Sequence, residues 1–344
     1  MGLWRSLWGK SSREIAIDLG TANTLAHVRG KGVILNEPSV VAVDRTTGAV
    51  IAVGAQAKSM LGRTPEHIEA IRPLKDGVIA DFEIAEAMLR YFLQRVYRRR
   101  ALFHPTVAMG VPSGVTEVER RAVRETTLRA GARDALLIEE PMAAAIGAGL
   151  PVSAATGSMV VDIGGGTTEV AVIALNGLVA ERSERIAGDE MDEAIVEYLH
   201  HEVNLAIGLP SAEQLKLDIG CAYPLDGNSR MAVARGRDLL TGLPKSVEVS
   251  SPQIRDAISQ PVNGIADAIR ATLEGIPAEL AADIIESGIV LTGGGALLRG
   301  IDRLLAESID MPVRVAEDPL SCVVIGAGRA LAELDKYADA FATY

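Results

Sequence analysis

One segment of this chain is written twice. IAIDLGTANT (Ile15–Thr24) returns as MVVDIGGGTT (Met159–Thr168), 144 residues further on. Each copy has three apolar residues, an Asp, another apolar residue and a Gly, then a short turn closing on Thr, with a second apolar run behind it. Apolar runs of this length bounded by glycine read as buried strands. A repeat this long is far from the 20–50-residue period of a solenoid. It predicts two similar α/β domains facing each other.

The rest of the chain supports that class, with short β-rich runs alternating with helical patterns throughout. Strands are expected at Ile15–Asp18, Thr24–Val28, Val33–Leu35, Ser39–Val43 and Thr106–Val111. Ile84, Met88, Phe92 and Val96 recur at a spacing of four and predict a helix over Glu83–Arg100. Further helices are expected at Val115–Ala130, from Pro141 to about Gly149, and at Glu190–Ile207, Ser211–Ile219, Pro252–Glu274 and Leu320–Tyr337. Gly326 and Gly328 in the last one would let a neighbouring helix approach closely. Tyr223–Lys245 is the least regular stretch and reads as a hairpin or a loop.

Composition narrows the classes of function. Hydrophobic residues are 48% but aromatics only 3%, so the cores must be aliphatic and the chain is no disordered polymer. A net charge of −11 argues against nucleic acid as the main partner, because a phosphate backbone needs a basic surface. Cys221 and Cys322 fit neither a metal spacing nor a disulfide framework, as expected in a reducing cytosol. No apolar run reaches the ~18 residues of a membrane span, and the start lacks the apolar core of a secretory signal. The expectation is a soluble cytoplasmic protein.

Three elements have a strand running into a glycine turn: Asp18–Thr24, Asp162–Thr168 and Thr292–Ala296. Small residues there expose backbone N–H groups that can cradle phosphate oxygens. One such turn is common; two with an Asp at the strand end are not. A carboxylate at that point can hold a hydrated Mg²⁺ through water against the phosphates. Asp18 and Asp162 are therefore the candidate metal residues, clamping one metal–nucleotide between two domains. The plainer alternative is that both acids cap turns. No G-x-x-x-x-G-K-[ST] loop occurs.

These turns resemble the phosphate and adenosine motifs of the actin, sugar-kinase and heat-shock-chaperone ATPase superfamily. Within it, DLGTANT, NEPSVVA (Asn36–Ala42), EAIRPLKDGVIADF (Glu69–Phe82), EEPMAAAIGAGLP (Glu139–Pro151), VVDIGGGTTEVAV (Val160–Val172), AGDEMDEAI (Ala187–Ile195) and LTGGGALLRG (Leu291–Gly300) are similar to the MreB family of bacterial actin homologues. The resemblance covers about residues 13–335. It implies an actin-like ATPase of two ribonuclease-H-like α/β domains, each with a small subdomain, with the nucleotide in the interdomain cleft. Domain I would be 13–154 plus 321–344, with its small subdomain at about 42–74. Domain II would be 155–320, with its small subdomain at about 191–250.

The resemblance also assigns residues. Thr21, Ala22 and Asn23 would face the phosphates of ATP from one side; Gly164, Gly165, Gly166 and Thr167 would face them from the other. Gly188 would also be nucleotide-binding. Glu213, Gln214, Leu215 and Lys216 would reach the adenosine, and Gly293, Gly294, Gly295, Ala296 and Leu297 would close over the adenine. By spacing alone Glu213 and Lys216 read rather as an exposed helical ion pair. Glu140 corresponds to the catalytic carboxylate that orients the attacking water, with Thr167 a second water contact. From residue type alone, Glu140 or the adjacent Glu139 could merely be favourable charge at a helix N-terminus. No lysine follows the first phosphate turn; Leu25, Ala26 and His27 stand there instead, unlike eukaryotic actin.

Two further features point to lipid. Both tryptophans lie in MGLWRSLWGK. On a helix, Leu3, Trp4, Leu7 and Trp8 share one face, opposite Arg5 and Lys10. That is the pattern of an interfacial membrane helix forming on residues 1–12. A docking of this tail on its own protein is the alternative. RRRALFHP (Arg98–Pro105) puts three arginines before Leu102 and Phe103, where the family carries a hydrophobic membrane loop. The implied protein is a slow ATP hydrolase that needs Mg²⁺ and forms head-to-tail, paired protofilaments on the inner face of the cytoplasmic membrane. There it would organise cell-wall synthesis with cell-wall synthesis proteins. The alternative is a metabolic kinase of the same superfamily, for which no extra substrate-binding segment is found; a chaperone would need a peptide-binding domain after Tyr344.

Overall fold

A computed structural model describes residues 14–97, 104–224 and 229–341. The chain divides into two compact units. One runs from the start of the described chain to Thr156, takes in Ile173–Leu178, and is completed by the chain from Leu320 onward; the other comprises Gly157–Val172 and Val179–Pro319.

In the first unit the strands are β1 (Glu14–Leu19), β2 (Asn23–Val28), β3 (Gly32–Pro38), β4 (Val41–Asp44) and β5 (Val50–Val53). After the short helix α1 (Ala55–Lys58) come β6 (Ile68–Ile71) and the two-residue strands β7 (Leu74–Lys75) and β8 (Val78–Ile79). Then follow α2 (Phe82–Val96), β9 (Thr106–Val111), α3 (Glu117–Arg129), β10 (Asp134–Glu139) and α4 (Glu140–Gly147). The main sheet has the order β10-β9-β1-β2-β3, with β1 parallel to β9 and antiparallel to β2. Ile15, Ile17, Val107, Met109 and Leu137 from its strands bury themselves with Met88 and Phe92 of α2. Each such side chain contributes roughly 1.5–3 kcal/mol on burial. The helix α2 starts where Asp81 accepts the N–H of Ile84, and α3 starts at a reciprocal Thr116–Glu119 capping box. A second, three-stranded sheet, β5-β4-β6, carries its own small core of Val40, Ala42, Ala52 and Ala57.

The second unit repeats the plan. Its strands β11 (Ser158–Ile163), β12 (Thr168–Ala174) and β13 (Gly177–Glu184) are followed by α5 (Gly188–Glu202), β14 (Leu205–Ala206) and α6 (Leu209–Ile219). A hairpin of β15 (Met231–Asp238) and β16 (Pro244–Ser250) leads to α7 (Ser251–Ala257), α8 (Ser259–Leu273) and α9 (Ala278–Ser287). The unit closes with β17 (Ile289–Thr292), a 3-10 turn (Gly294–Leu297), α10 (Ile301–Ile309) and β18 (Val313–Val315). Its sheet order, β13-β12-β11-β17-β18, matches that of the first unit read from the opposite edge, β3-β2-β1-β9-β10. The repeated segment is therefore the same piece of both sheets: the central strand, its glycine turn and the strand after it. Met159, Val161 and Ile163 of β11 pack with Ile195 and Leu199 of α5 and with Ile265 and Ile269 of α8.

The chain then returns to the first unit as α11 (Cys322–Ala332) and α12 (Leu334–Tyr337). There α11 crosses α4 backbone to backbone. A Cβ on Gly326 would stand 1.7 Å from the Ala143 carbonyl oxygen, and one on Gly147 would stand 1.8 Å from that of Cys322. The close approach expected of Gly326 and Gly328 is real, and Gly328 makes its own against the His27 ring.

Several helix expectations need correcting. The helix expected over Pro252–Glu274 is two, α7 and α8, meeting at Ile258. Pro261 explains it: the ring would clash with the carbonyl four residues back in a continuous helix, but is tolerated in a first turn. The Glu190–Ile207 helix stops at Glu202, because Asn204 turns left-handed (φ 52°) and Leu205–Ala206 joins β15 as a strand. The Leu320–Tyr337 helix is broken at Glu333. Within Tyr223–Lys245 the hairpin alternative is the one realised.

Candidate functional site

In the first unit, the turn from β1 to β2 is stitched from behind by Ser39. This fully buried hydroxyl donates to the Gly20 carbonyl at 2.6 Å and lies 2.9 Å from the Thr24 hydroxyl, while the Ser39 N–H bonds the Ala22 carbonyl. Gly20 has no alternative, since a Cβ there would meet the Asn23 carbonyl oxygen at 2.8 Å. Thr21 is buried and its hydroxyl accepts the N–H of Gly77, at the tip of the β7–β8 hairpin. Asp18, Ala22 and Asn23 are half-buried on the same turn.

The neighbouring glutamates part company. Glu139 is held by Arg120 of α3 at 2.9 Å. Glu140 is the first residue of α4, is buried, and lies over Gly110 of β9. A Cβ on Gly110 would approach the Glu140 Cγ to 3.3 Å and Oε1 to 3.7 Å. The missing side chain at Gly110 is thus the space that Glu140 occupies.

In the second unit, Asp162 is the last residue but one of β11, and its side chain is almost wholly buried. Thr292, its neighbour across to β17, donates its hydroxyl to Asp162 Oδ1 at 2.6 Å. Burial pushes the Asp162 carboxyl up to about 6; the Thr292 hydrogen bond opposes this and the charge of Glu169 adds to it. Gly164 N–H bonds the Thr167 carbonyl at 2.8 Å and closes the turn, and the Thr168 hydroxyl anchors it to the Ile186 carbonyl at 2.6 Å. The first turn of α5 is bonded directly to this loop. Gly188 N–H reaches the Gly164 carbonyl at 3.3 Å and Asp189 N–H reaches that of Gly165 at 2.7 Å. A helix N-terminus, whose dipole favours negative charge, therefore stands directly behind this glycine loop.

The adenosine candidates surround the same turn. Gly293 (φ 80°) and Gly295 press on Ile163: a Cβ at either would fall within 2.3 Å of an Ile163 atom. Ala296 is buried in the unit's core, whereas Leu297 is exposed. On α6, Leu215 is also a core residue, Gln214 is exposed and bonds Asp218, and Glu213 is half-buried. Lys216 pairs with Asp192 of α5, at 2.8 Å, and donates to the Gly188 carbonyl at 2.6 Å. Among the described residues no group of three or more His, Cys, Asp or Glu could hold a metal ion directly. Leu3, Trp4, Leu7, Trp8, Leu102 and Phe103 lie outside the described residues.

Both halves of the repeat thus build a carboxylate-tipped strand, a tight amide-lined loop and a supporting hydroxyl from a neighbouring segment. The family model for MreB/Mbl proteins matches residues 12–339. The chain belongs to the MreB/Mbl family. It is 56% identical to the cell shape-determining protein MreB of Escherichia coli (strain K12) over 334 residues, 96% of each chain. It is 47% identical to the cell shape-determining protein Mbl of Bacillus subtilis (strain 168), covering 94% of this chain and 97% of that one. The crystal structure of MreB5 of Spiroplasma citri bound to AMPPNP superposes with a TM-score of 0.90 at 39% identity, over 96% of this chain and 98% of that one. The fold is therefore actin-like, as the resemblance implied.

Four residues that contact the turns and acids described above were not singled out as such in the sequence reading: Ser39, Gly110, Asp192 and Thr292. Ser39 and Thr292 are small hydroxyls in apolar runs, and Gly110 is a lone glycine in a strand. None carries a local signal of what it will face.

Proposed function

We propose that this chain is an actin-like ATPase that binds Mg-ATP with the phosphate turns of both units, polymerises head to tail into paired protofilaments and determines cell shape. The observation that supports it most directly is the second phosphate turn. There a buried carboxylate, raised to about 6, stands at the mouth of an amide loop backed by a helix N-terminus. Such a carboxylate fits a cation nearby, which would return it to its charged form. Asp162, with Asp18 from the other turn, would hold Mg²⁺ through water; when bound, the ion neutralises phosphate charge during transfer.

The remaining chemistry is assigned to the chain's own groups. The amides of Thr21–Asn23 and Gly164–Thr167 bind phosphate oxygens, Gly188 and the Gly293–Leu297 turn border the nucleoside, and Glu140 with the Thr167 hydroxyl orients the attacking water. Positioning of this kind is most of what phosphoryl transfer asks of a protein. Relatives carry the same association with shape and nucleotide: the 56%-identical protein is named for cell shape and the S. citri protein holds AMPPNP. The reading extends to the inner face of the cytoplasmic membrane, engaged by Leu3, Trp4, Leu7, Trp8, Leu102 and Phe103, and to cell-wall synthesis proteins as partners. A filament presents many weak anchors at once, so each can be short. ATP-dependent pelleting of the purified chain, with phosphate release, is the test. A protein that stays monomeric with Mg-ATP and lipid, yet phosphorylates a sugar, refutes the proposal in favour of the kinase.

A further inference from the structure

Lys216 sits oddly for an ordinary ion pair. Its ammonium lies at the N-terminus of α5, 2.6 Å from the Gly188 carbonyl oxygen, where the helix dipole repels a cation. Its counter-charge, Asp192, is on that same helix one turn in, 4% exposed, at 2.8 Å. Few acids are buried this deeply without a purpose, because desolvation offsets much of what the pair gains. Gly188, whose carbonyl accepts the Lys216 hydrogen bond, also donates its own N–H to the Gly164 carbonyl of the second phosphate turn. The lysine is thereby locked to the element that backs the phosphate loop.

An ammonium has three N–H donors. One goes to the Gly188 carbonyl; Asp192 Oδ1 stands 2.8 Å away as the ion-pair partner without accepting a hydrogen bond, so a donor is left with no hydrogen-bond partner among the described residues. Neutralised by Asp192, this donor is a poor match for phosphate and a good one for an uncharged acceptor such as a ribose hydroxyl or a ring nitrogen. We infer that Asp192 is a positioning residue of the nucleotide site, holding the Lys216 ammonium so that its free N–H is presented to the nucleoside end of the ligand rather than to the phosphates. This rests on the nucleotide reading above and adds to it a residue that need not touch the ligand. Its energetic basis is preorganisation: a donor already oriented loses less freedom on binding.

The charges that reach Asp192 are Lys216 and Glu213 on α6 and Asp189 on its own helix. On α7 and α8, which also pack on α5, charges pair among themselves, Arg255 with Asp256 and Arg270 with Asp267. Burial lifts the Asp192 carboxyl to about 6, Lys216 opposing and the two acids adding to the rise. Above that pH the pair is charged and the lock is closed; below it Asp192 becomes neutral and resembles its own amide variant.

The test measures dissociation constants for ATP and ADP with wild-type chain, Asp192→Asn, Lys216→Met and the double variant, with folding checked by circular dichroism. Asp192→Asn is expected to weaken both nucleotides by the same factor, about tenfold. The double variant should bind no more than about twofold worse than the weaker single variant, since both changes remove one contact. The ratio of wild-type to Asp192→Asn affinity should fall towards one between pH 7.5 and pH 5, and shared effects of pH on the ligand cancel in that ratio. If Asp192→Asn fails to fold, Lys216→Met alone must show the equal loss for ATP and ADP. A loss that grows with the number of phosphates, additive single variants, or a ratio that does not change with pH overturns the inference. Absence of nucleotide binding by the wild-type chain overturns the nucleotide reading itself, and this inference with it.

Discussion

Replacing Asp162 by Asn separates the cost of a buried charge from the rest of the second phosphate turn. A carboxyl moved from 3.8 to about 6 binds its proton more tightly in the folded chain than in the unfolded one. The associated stability is fully present below the unfolded value, and is lost as pH rises through about 6. At pH 8 the ionised, ligand-free wild type has lost about 3 kcal/mol, at 1.36 kcal/mol per pH unit; at pH 5 it has lost roughly half of that. The Asn variant feels neither. Its amide keeps an acceptor for the Thr292 hydroxyl, and whatever its N–H groups cost is the same at both pH values. Between pH 5 and pH 8 the variant should therefore gain about 1–2 kcal/mol on the wild type. For a unit of this size that is roughly 2–8 °C in Tm. Thermal unfolding in EDTA without nucleotide, read by circular dichroism at the two pH values, measures it. Adding Mg-ATP at pH 8 should then stabilise the wild type and leave the variant nearly unmoved, because binding to the folded state is what raises Tm. A Tm difference between the two proteins that is unchanged from pH 5 to pH 8, or that shifts the other way, would refute the account of Asp162 as a charge awaiting a cation.

Gly110→Ala places a methyl 3.3 Å from the Glu140 Cγ and 3.2 Å from Val323; phosphate release should fall about tenfold while ATP affinity holds within about threefold, since small displacements of a water-orienting group are costly. Ser39→Ala leaves the Gly20 carbonyl without its donor, so stability should drop by about 1–3 kcal/mol and ATP binding should weaken with it, both readable in one melting series with and without nucleotide. Deleting Gly2–Lys10 should abolish co-sedimentation with liposomes and leave ATP affinity unchanged; lipid binding equal to that of the full chain would remove the tail from the proposal.

The legible parts of this protein are those whose physics is local. A strand that ends in Asp and turns on glycine announces itself in ten residues, and its recurrence at Ile15 and Met159 is enough to expect two sheets with one plan. Caps and turn residues are local too, which is why α2 and α3 begin within two residues of where the sequence starts them. Choices between equivalent residues are not local. Glu139 and Glu140 are the same side chain one position apart; only the arrival of Arg120 from α3 and the gap at Gly110 in β9 give one an ion pair and the other a buried place at a helix start. Glu213 and Lys216 look like partners on one helix, yet the lysine reaches across to Asp192 and Gly188 on another. Ser39 and Thr292 gain their meaning from a turn or strand 19 and 130 residues away. Backbone propensity is set by neighbours in the chain, so sequence alone determined the repeated strand–turn frame. Burial, charge pairing and hydroxyl donation depend on neighbours in space, so only the tertiary structure decided which acid, which lysine and which hydroxyl each site would use.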